Sequence, residues 1–331
     1  MLLRLLASDP EIEVAGVAEN GAVALELLAE VEPDLIILDI EMPTMDGPTM
    51  LREMRKRALT TPVLVFSSLS QRGALVTIEA LASGAADYVT KPSGLIKTSN
   101  VSRDLKDVLL EKIHVLAGRF KRRTTTHAQV FPPIASTRAY GPIDAVAIGV
   151  STGGPQALGE VLPMLPKDLR VPMFIVQHMP KMFTEQLART LDYRSQVTVI
   201  EGLDNGTAEP GVVYIAPGGR HMRVRRDHMG QVRIALSDEA PLRSCRPSVD
   251  LMFESFAKAY GARGLGVILT GMGNDGLEGS RAIRHAGGDI FAQDEESSVV
   301  WGMPGEVVRN GLASNIAPLR EMAEAIRRRV R

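Results

Sequence analysis

The chain has 331 residues. At ~100–200 residues per domain, that length implies two domains or three. Hydrophobic residues make up 45% and excludes wholesale disorder, while 38 Lys/Arg against 39 Asp/Glu leave a net charge of −1 and exclude a globally basic nucleic-acid coat. The single cysteine excludes an intramolecular disulfide and a Cys-rich zinc site. No apolar run reaches the ~18 residues that cross a bilayer, and Arg4 and Asp9 interrupt any secretory-signal layout at the start. The expectation is a cytoplasmic α/β protein with no nucleic-acid partner and no direct membrane insertion.

Residues 1–93 alternate short apolar runs with amphipathic stretches, the pattern of a parallel α/β sheet. Strands are expected at Glu11–Ala18, Asp34–Ile40, Pro62–Ser68 and Asp87–Thr90, with helices at Gly21–Glu30, Gly47–Arg57 and Gly73–Ser83. Leu35 to Leu38 form an unbroken apolar run, which suits a strand buried on both faces, and Asp39 stands at its carboxyl end. Residues 94–140 break the rhythm. Leu105, Val108, Leu109, Ile113 and Leu116 are spaced for one helix face, and a basic, Thr- and Pro-containing stretch follows. Residues 94–140 therefore read as a helix and a flexible basic linker.

Residues 141–331 read as a second α/β unit. Strands are expected at Ile143–Val150, Met173–Gln177, Val212–Ala216 and Leu265–Thr270, with a hairpin around Gly230. Ser248 is placed as the N-cap of a helix reaching Tyr260. Further helices are expected at Leu277–Ala286, Pro304–Asn310 and Leu319–Arg329.

Three reactive side chains follow three of these strands: Ser151, His178 and Asp275. Parallel strands bring all three to one sheet edge. There a histidine can take the serine proton and a carboxylate can hold the imidazole tautomer. The turn Ser151-Thr152-Gly153-Gly154 opens a helix, where unpaired N–H groups suit an oxyanion, a phosphate or a plain structural turn; this piece alone leaves the three open. His221 is an alternative base. Cys245 lies between Arg243 and Arg246, which favour a thiolate, but no Cys–His spacing supports a thiol enzyme. Arg246 to Asp250 read as helix capping. A nucleotide-binding module would need an acidic ribose reader ~20 residues after the Gly-rich turn. The candidates Lys167 to Arg170 lie in a loop. A transcriptional regulator would need a basic helix-turn-helix after the linker.

The segments Ile148–Pro155, Gln177–Pro180, Ala216–Met222, Arg246–Asp250 and Leu269–Gly276 resemble, in order, the signature segments of the bacterial chemotaxis protein-glutamate methylesterases. The resemblance implies Ser151 as nucleophile, His178 as base and Asp275 as its orienter. Thr152, Gly153 and Met272 become the oxyanion or turn candidates. The implied reactions are hydrolysis of glutamate γ-methyl esters on methyl-accepting chemotaxis receptors and deamidation of certain receptor glutamines, with no cofactor for catalysis. The first part resembles a response-regulator receiver. Leu38–Gly47 matches the phosphoacceptor segment and assigns Asp39; Ser67 and Lys91 match the switch hydroxyl and the phosphoryl-contacting lysine. A histidine kinase is the implied phosphodonor, and phosphorylation would relieve inhibition of the esterase. One departure stands out. The family pattern has a first strand ending in two adjacent acidic residues that help Asp39 hold Mg²⁺, and no such pair precedes the Asp39 segment. The expected architecture is a flavodoxin-like receiver lacking its first strand, with a poor Mg²⁺ site, joined to a doubly wound, mostly parallel α/β esterase domain.

Overall fold

The computed structural model describes residues 2–91, 99–123 and 141–330, with side chains of the long helix at 99–123 described for 105–118. The chain divides into two compact units, Met1–Gln129 and Val130–Arg331. The division falls inside the stretch expected as helix and linker. The basic run Lys121–Arg123 expected in the linker closes the long helix at 99–123 instead, and residues 124–140 lie outside the described residues.

In the first unit, α1 (Leu2–Leu6) and α2 (Gly21–Glu30) precede β1 (Ile36–Asp39), α3 (Gly47–Lys56), β2 (Val63–Ser68), α4 (Gln71–Ala82), β3 (Asp87–Lys91) and α5 (Ser99–Arg123). Helix starts follow from local chemistry. Asn20, Asp46 and Ser70 each cap a helix by accepting a backbone N–H with the side chain. The three strands pair in parallel in the order β1-β2-β3. Leu64 and Val65 on the central strand are fully buried. The helix-face reading of α5 holds for Leu109, Ile113 and Leu116, which are buried, but Val108 points out, 44% exposed.

The expected strand Glu11–Ala18 does not form; these residues carry no ladder. Among the described residues, no strand lies beside them. A cavity of about 1060 Å³ is lined by residues 11–18 on one side and by Ile36, Ile37, Leu38 and Asp39 of β1 on another. In the receiver order 2-1-3-4-5, the first strand lies between these two segments. Without that partner the backbone groups of 11–18 have no ladder to join.

The second unit is built on seven parallel strands: β4 (Ala145–Val150), β5 (Met173–Gln177), β6 (Thr198–Glu201), β7 (Val212–Ile215), β10 (Gly264–Ile268), β11 (Asp289–Gln293) and β12 (Asn315–Ala317). Their helices are α6 (Gly154–Val161), α7 (Lys181–Arg194), α8 (Val249–Tyr260), α9 (Leu277–His285), α10 (Met303–Arg309) and α11 (Leu319–Arg329). The antiparallel pair β8 (His221–Arg226) and β9 (Val232–Ser237) is the expected hairpin. Sheet order is β12-β11-β10-β4-β5-β7-β6. Strands β4, β5 and β10 are buried at every position, which explains their unbroken apolar sequence. The sequence reading lacked α7, β6, β11 and β12. Strand β6 alternates exposed and buried residues, and β12 has only three residues, so neither presents the apolar run that marks the central strands.

From β4 the chain builds outward one way through β5 and β7, then returns and builds the other way through β10, β11 and β12. The reversal lies between β4 and β10. Open α/β sheets bind ligands at the carboxyl ends of strands at such a switch point.

Candidate active site

Ser151 directly follows β4, His178 directly follows β5, and Asp275 lies in the loop between β10 and α9. All three therefore sit at the switch-point edge, as parallel strands require. The Ser151 backbone is fixed from both neighbouring strands. Its N–H donates to the Thr270 carbonyl at 3.0 Å, and its carbonyl accepts from buried Gln177 Nε2 at 3.0 Å. The Thr270 hydroxyl donates to the Thr152 carbonyl at 2.8 Å. Gly153 then turns with φ +78°, a left-handed conformation that strains side-chain-bearing residues, and α6 begins. Among the described residues, neither Gly153 N–H nor Met272 N–H donates a hydrogen bond within the chain.

His178 and Asp275 meet directly. Nε2 of the imidazole lies 2.8 Å from Asp275 Oδ2. Asp275 is 5% exposed and accepts three further hydrogen bonds: from Ser248 Oγ at 2.9 Å, Val249 N–H at 2.7 Å and Asp250 N–H at 3.0 Å. Burial raises its pKa, but the His178 hydrogen bond and charge and the backbone donors outweigh this and hold the carboxyl below its ordinary value. For His178, burial disfavours the charged ring, yet the Asp275 and Cys245 hydrogen bonds and their charges push it up to about 9. The carboxylate thus fixes the tautomer: Nε2 carries the proton and Nδ1 is the nitrogen left to accept one. Among the described residues, the Ser151 hydroxyl makes no hydrogen bond to His178. The structure joins two of the three expected partners and places the third at the end of the adjacent strand.

Two sequence readings need correction. His221 is no alternative base. It is fully buried at the start of β8, with Nε2 on the Ala240 carbonyl at 3.1 Å, so solvent and substrate cannot reach it. Sequence spacing offered no Cys–His pair, yet Cys245 Sγ lies 3.9 Å from His178 Nδ1. Spacing hid this because 67 residues separate the two. The Arg246–Asp250 segment also does more than cap a helix. Ser248 does cap α8, through Leu251 N–H at 3.5 Å, but Asp250 reaches across the loop. Its Oδ1 accepts from Gly276 N–H at 2.9 Å and Gly279 N–H at 2.8 Å, and Oδ2 accepts from Arg243 at 2.7 Å. Gln177, Ser248 and Asp250 were missed as site residues. The only sequence signal was their place inside motifs that also carry the reactive groups.

With this geometry, comparison with known proteins is direct. The family pattern described as CheB methylesterase matches residues 146–326, and that described as response regulator receiver domain matches residues 1–100. The chain belongs to the CheB methylesterase family. A protein-glutamate methylesterase/protein-glutamine glutaminase of Trichodesmium erythraeum is 44% identical over 98% of this chain and 94% of its own length. One from Archaeoglobus fulgidus is 41% identical over 98% and 94%. The crystal structure of the Thermotoga maritima CheB methylesterase catalytic domain is 39% identical, with a TM-score of 0.55. It covers 56% of this chain and 98% of that one. The match to the family confirms the α/β class and the receiver-plus-esterase composition.

In the receiver, Asp39 closes β1 and its Oδ2 pairs with Lys91 Nζ at 2.5 Å. Ser67 is buried and shares a hydrogen bond with the Thr77 hydroxyl at 2.6 Å. A receiver calls for Mg²⁺ beside its phosphoacceptor, and the donor set here does not fit one. Among the described residues, Asp39 joins no cluster of three ligating side chains, and its one charged partner is an ammonium. Asp9, the acidic residue nearest the chain start, is engaged with His114 at 2.8 Å. No helix among the described residues is long and apolar enough to cross a membrane.

Proposed function

We propose that this methylesterase hydrolyses glutamate γ-methyl esters on methyl-accepting chemotaxis receptors and deamidates specific receptor glutamines, acting in the cytoplasm under control of its receiver. The observation that carries the reading is the His178–Asp275 hydrogen bond of 2.8 Å, held at the sheet edge beside the strand that ends in Ser151. Ser151 Oγ attacks the side-chain carbonyl of the receptor residue and His178 Nδ1 takes its proton. The protonated imidazole returns that proton to the leaving group, so methanol departs from an ester and ammonia from an amide. Water, deprotonated by the same nitrogen, then cleaves the acyl-serine to give glutamate and restore Ser151. Asp275 stabilises the charged ring through both steps without taking its proton. The N–H groups of Gly153 and Met272 are the proposed donors to the oxyanion, with Thr152 held between the nucleophile and that turn. Such a donor contributes roughly 2.7–4 kcal/mol to the transition state. Asp39 is the proposed phosphoacceptor, with a histidine kinase as donor and Ser67 and Lys91 as switch residues.

The test is methanol release from methylated receptor membranes by the full chain and by Ser151→Ala. Release that is lost in the folded variant supports the reading. Release that persists would falsify it.

A further inference from the structure

Cys245, His178 and Asp275 come from three separate loops, and each offers one ligating atom within 4.8 Å of the others. Their arrangement is that of a zinc-binding histidine with its outer partner. Asp275 accepts from Nε2, the far nitrogen of the ring, and leaves Nδ1 facing Cys245 Sγ at 3.9 Å. Metal-ligating histidines characteristically donate their second N–H to a carboxylate in this way, which fixes the ring and raises its basicity. Tetrahedral zinc with Zn–S near 2.3 Å and Zn–N near 2.0 Å sets S and N about 3.5 Å apart. The observed separation needs to close by only a few tenths of an ångström.

The surroundings also suit a cation. Two buried carboxylates, Asp250 and Asp275, stand at the loop. Arg243 balances Asp250, Arg246 is engaged with the carbonyls of Asp238 and Glu239, and Asp275 keeps its charge toward His178.

We propose that Cys245 Sγ and His178 Nδ1 form a site for a thiophilic divalent cation, Zn²⁺ in chemical class, whose binding switches the esterase off. Binding releases the thiol proton and the Nδ1 proton of the charged ring, forms the S–Zn and N–Zn bonds, and leaves the remaining positions to water. The Nδ1 lone pair is then occupied and can no longer accept the serine proton. This inhibition rests on the reading of His178 as the base; the metal site itself does not. Hard cations such as Mg²⁺ prefer oxygen ligands and are excluded by the sulfur.

The experiment uses the full chain, freed of metal, with two readouts. Cobalt(II) binding is followed by the thiolate-to-metal charge-transfer band. Cys245 is the chain's only cysteine, so the band reports that residue alone. Methanol release is measured against Zn²⁺, with each variant referred to its own rate in EDTA. The expected result is a one-to-one cobalt band displaced by zinc, zinc inhibition reversed by EDTA, and no response to Mg²⁺. Asp275→Asn should weaken cobalt binding by ~10–100-fold, the usual cost of losing an outer partner. Cys245→Ser should weaken it by more and abolish the band. Absence of the band in the full chain, or equal zinc inhibition of Cys245→Ser, overturns the proposal. A cobalt band without any esterase activity would instead retain the metal site and remove the function proposed above.

Discussion

Asp250 and Asp275 clasp each other's loops: Asp275 Oδ1 accepts from the Asp250 N–H at 3.0 Å, and Asp250 Oδ1 accepts from the N–H of Gly276, the residue after Asp275, at 2.9 Å. This reciprocal pair ties the start of α8 to the loop that presents Asp275 to His178. Burial and the neighbouring Asp275 charge push Asp250 up to about 6 against the pull of Gly279 N–H and Arg243. Asp250→Ala should destabilise the catalytic unit by ~3–5 kcal/mol, because it strands a buried network. Asp250→Asn keeps an acceptor for both glycine N–H groups and should cost less. Chemical denaturation of both variants checks the order; equal stabilities would show that the clasp holds nothing.

Ser151→Ala and His178→Ala should each lower methyl-ester hydrolysis by roughly 10⁴–10⁶-fold, and the double variant should be little worse, since such residues act as a unit. The measurement is methanol release by proteins whose thermal unfolding matches the parent. Additive losses would mean the two act separately.

The pH profile follows from His178. A base held at about 9 is mostly protonated at neutral pH, so kcat/KM measured in EDTA should rise with pH and level off near that value. Removing the thiol in Cys245→Ala removes one raising influence and should move the ascending limb to lower pH. Linkage has the matching sign. The charged pair with Asp275 adds stability fully below the ordinary histidine value of 6.5, and that stability fades as pH rises through about 9. A flat profile from neutral pH upward would contradict the assignment.

Residues 141–331 should fold and keep esterase activity without residues 1–140, in the presence of EDTA. The seven-stranded sheet, the clasp and all three reactive residues lie within that unit. Deleting the receiver should leave the rate equal or higher. A folded but inactive fragment would show that the receiver contributes to the site.

Phosphodonor should activate this chain poorly. Phosphoryl transfer to a carboxylate relies on Mg²⁺ to neutralise charge, and among the described residues Asp39 pairs with Lys91 and joins no cluster of ligating side chains. Adding an N-terminal apolar strand ending in two acidic residues, which fits the slot between residues 11–18 and β1, should raise both Mg²⁺ affinity and activation. Calorimetry with Mg²⁺ and phosphodonor-stimulated methanol release give the answer. Tight Mg²⁺ binding by the unmodified chain would refute the expectation.

The sequence by itself determined the strand ends that carry Ser151, His178 and Asp275, because fully buried parallel strands are unbroken apolar runs and chemistry gathers where they stop. The resemblance to receivers picked out Asp39, Ser67 and Lys91, which lie at or next to the ends of β1, β2 and β3. Only the tertiary structure decided which imidazole nitrogen faces the carboxylate, since ring orientation depends on partners 97 residues away. The same holds for Cys245 against Nδ1, Asp250 against the Gly276 loop and the burial of His221, all contacts between segments far apart in the chain. Residues 11–18 show the limit from the other side. Their alternating apolar pattern is real, but a strand needs a neighbour to bond with, and the neighbour that would pair them with β1 is a cavity.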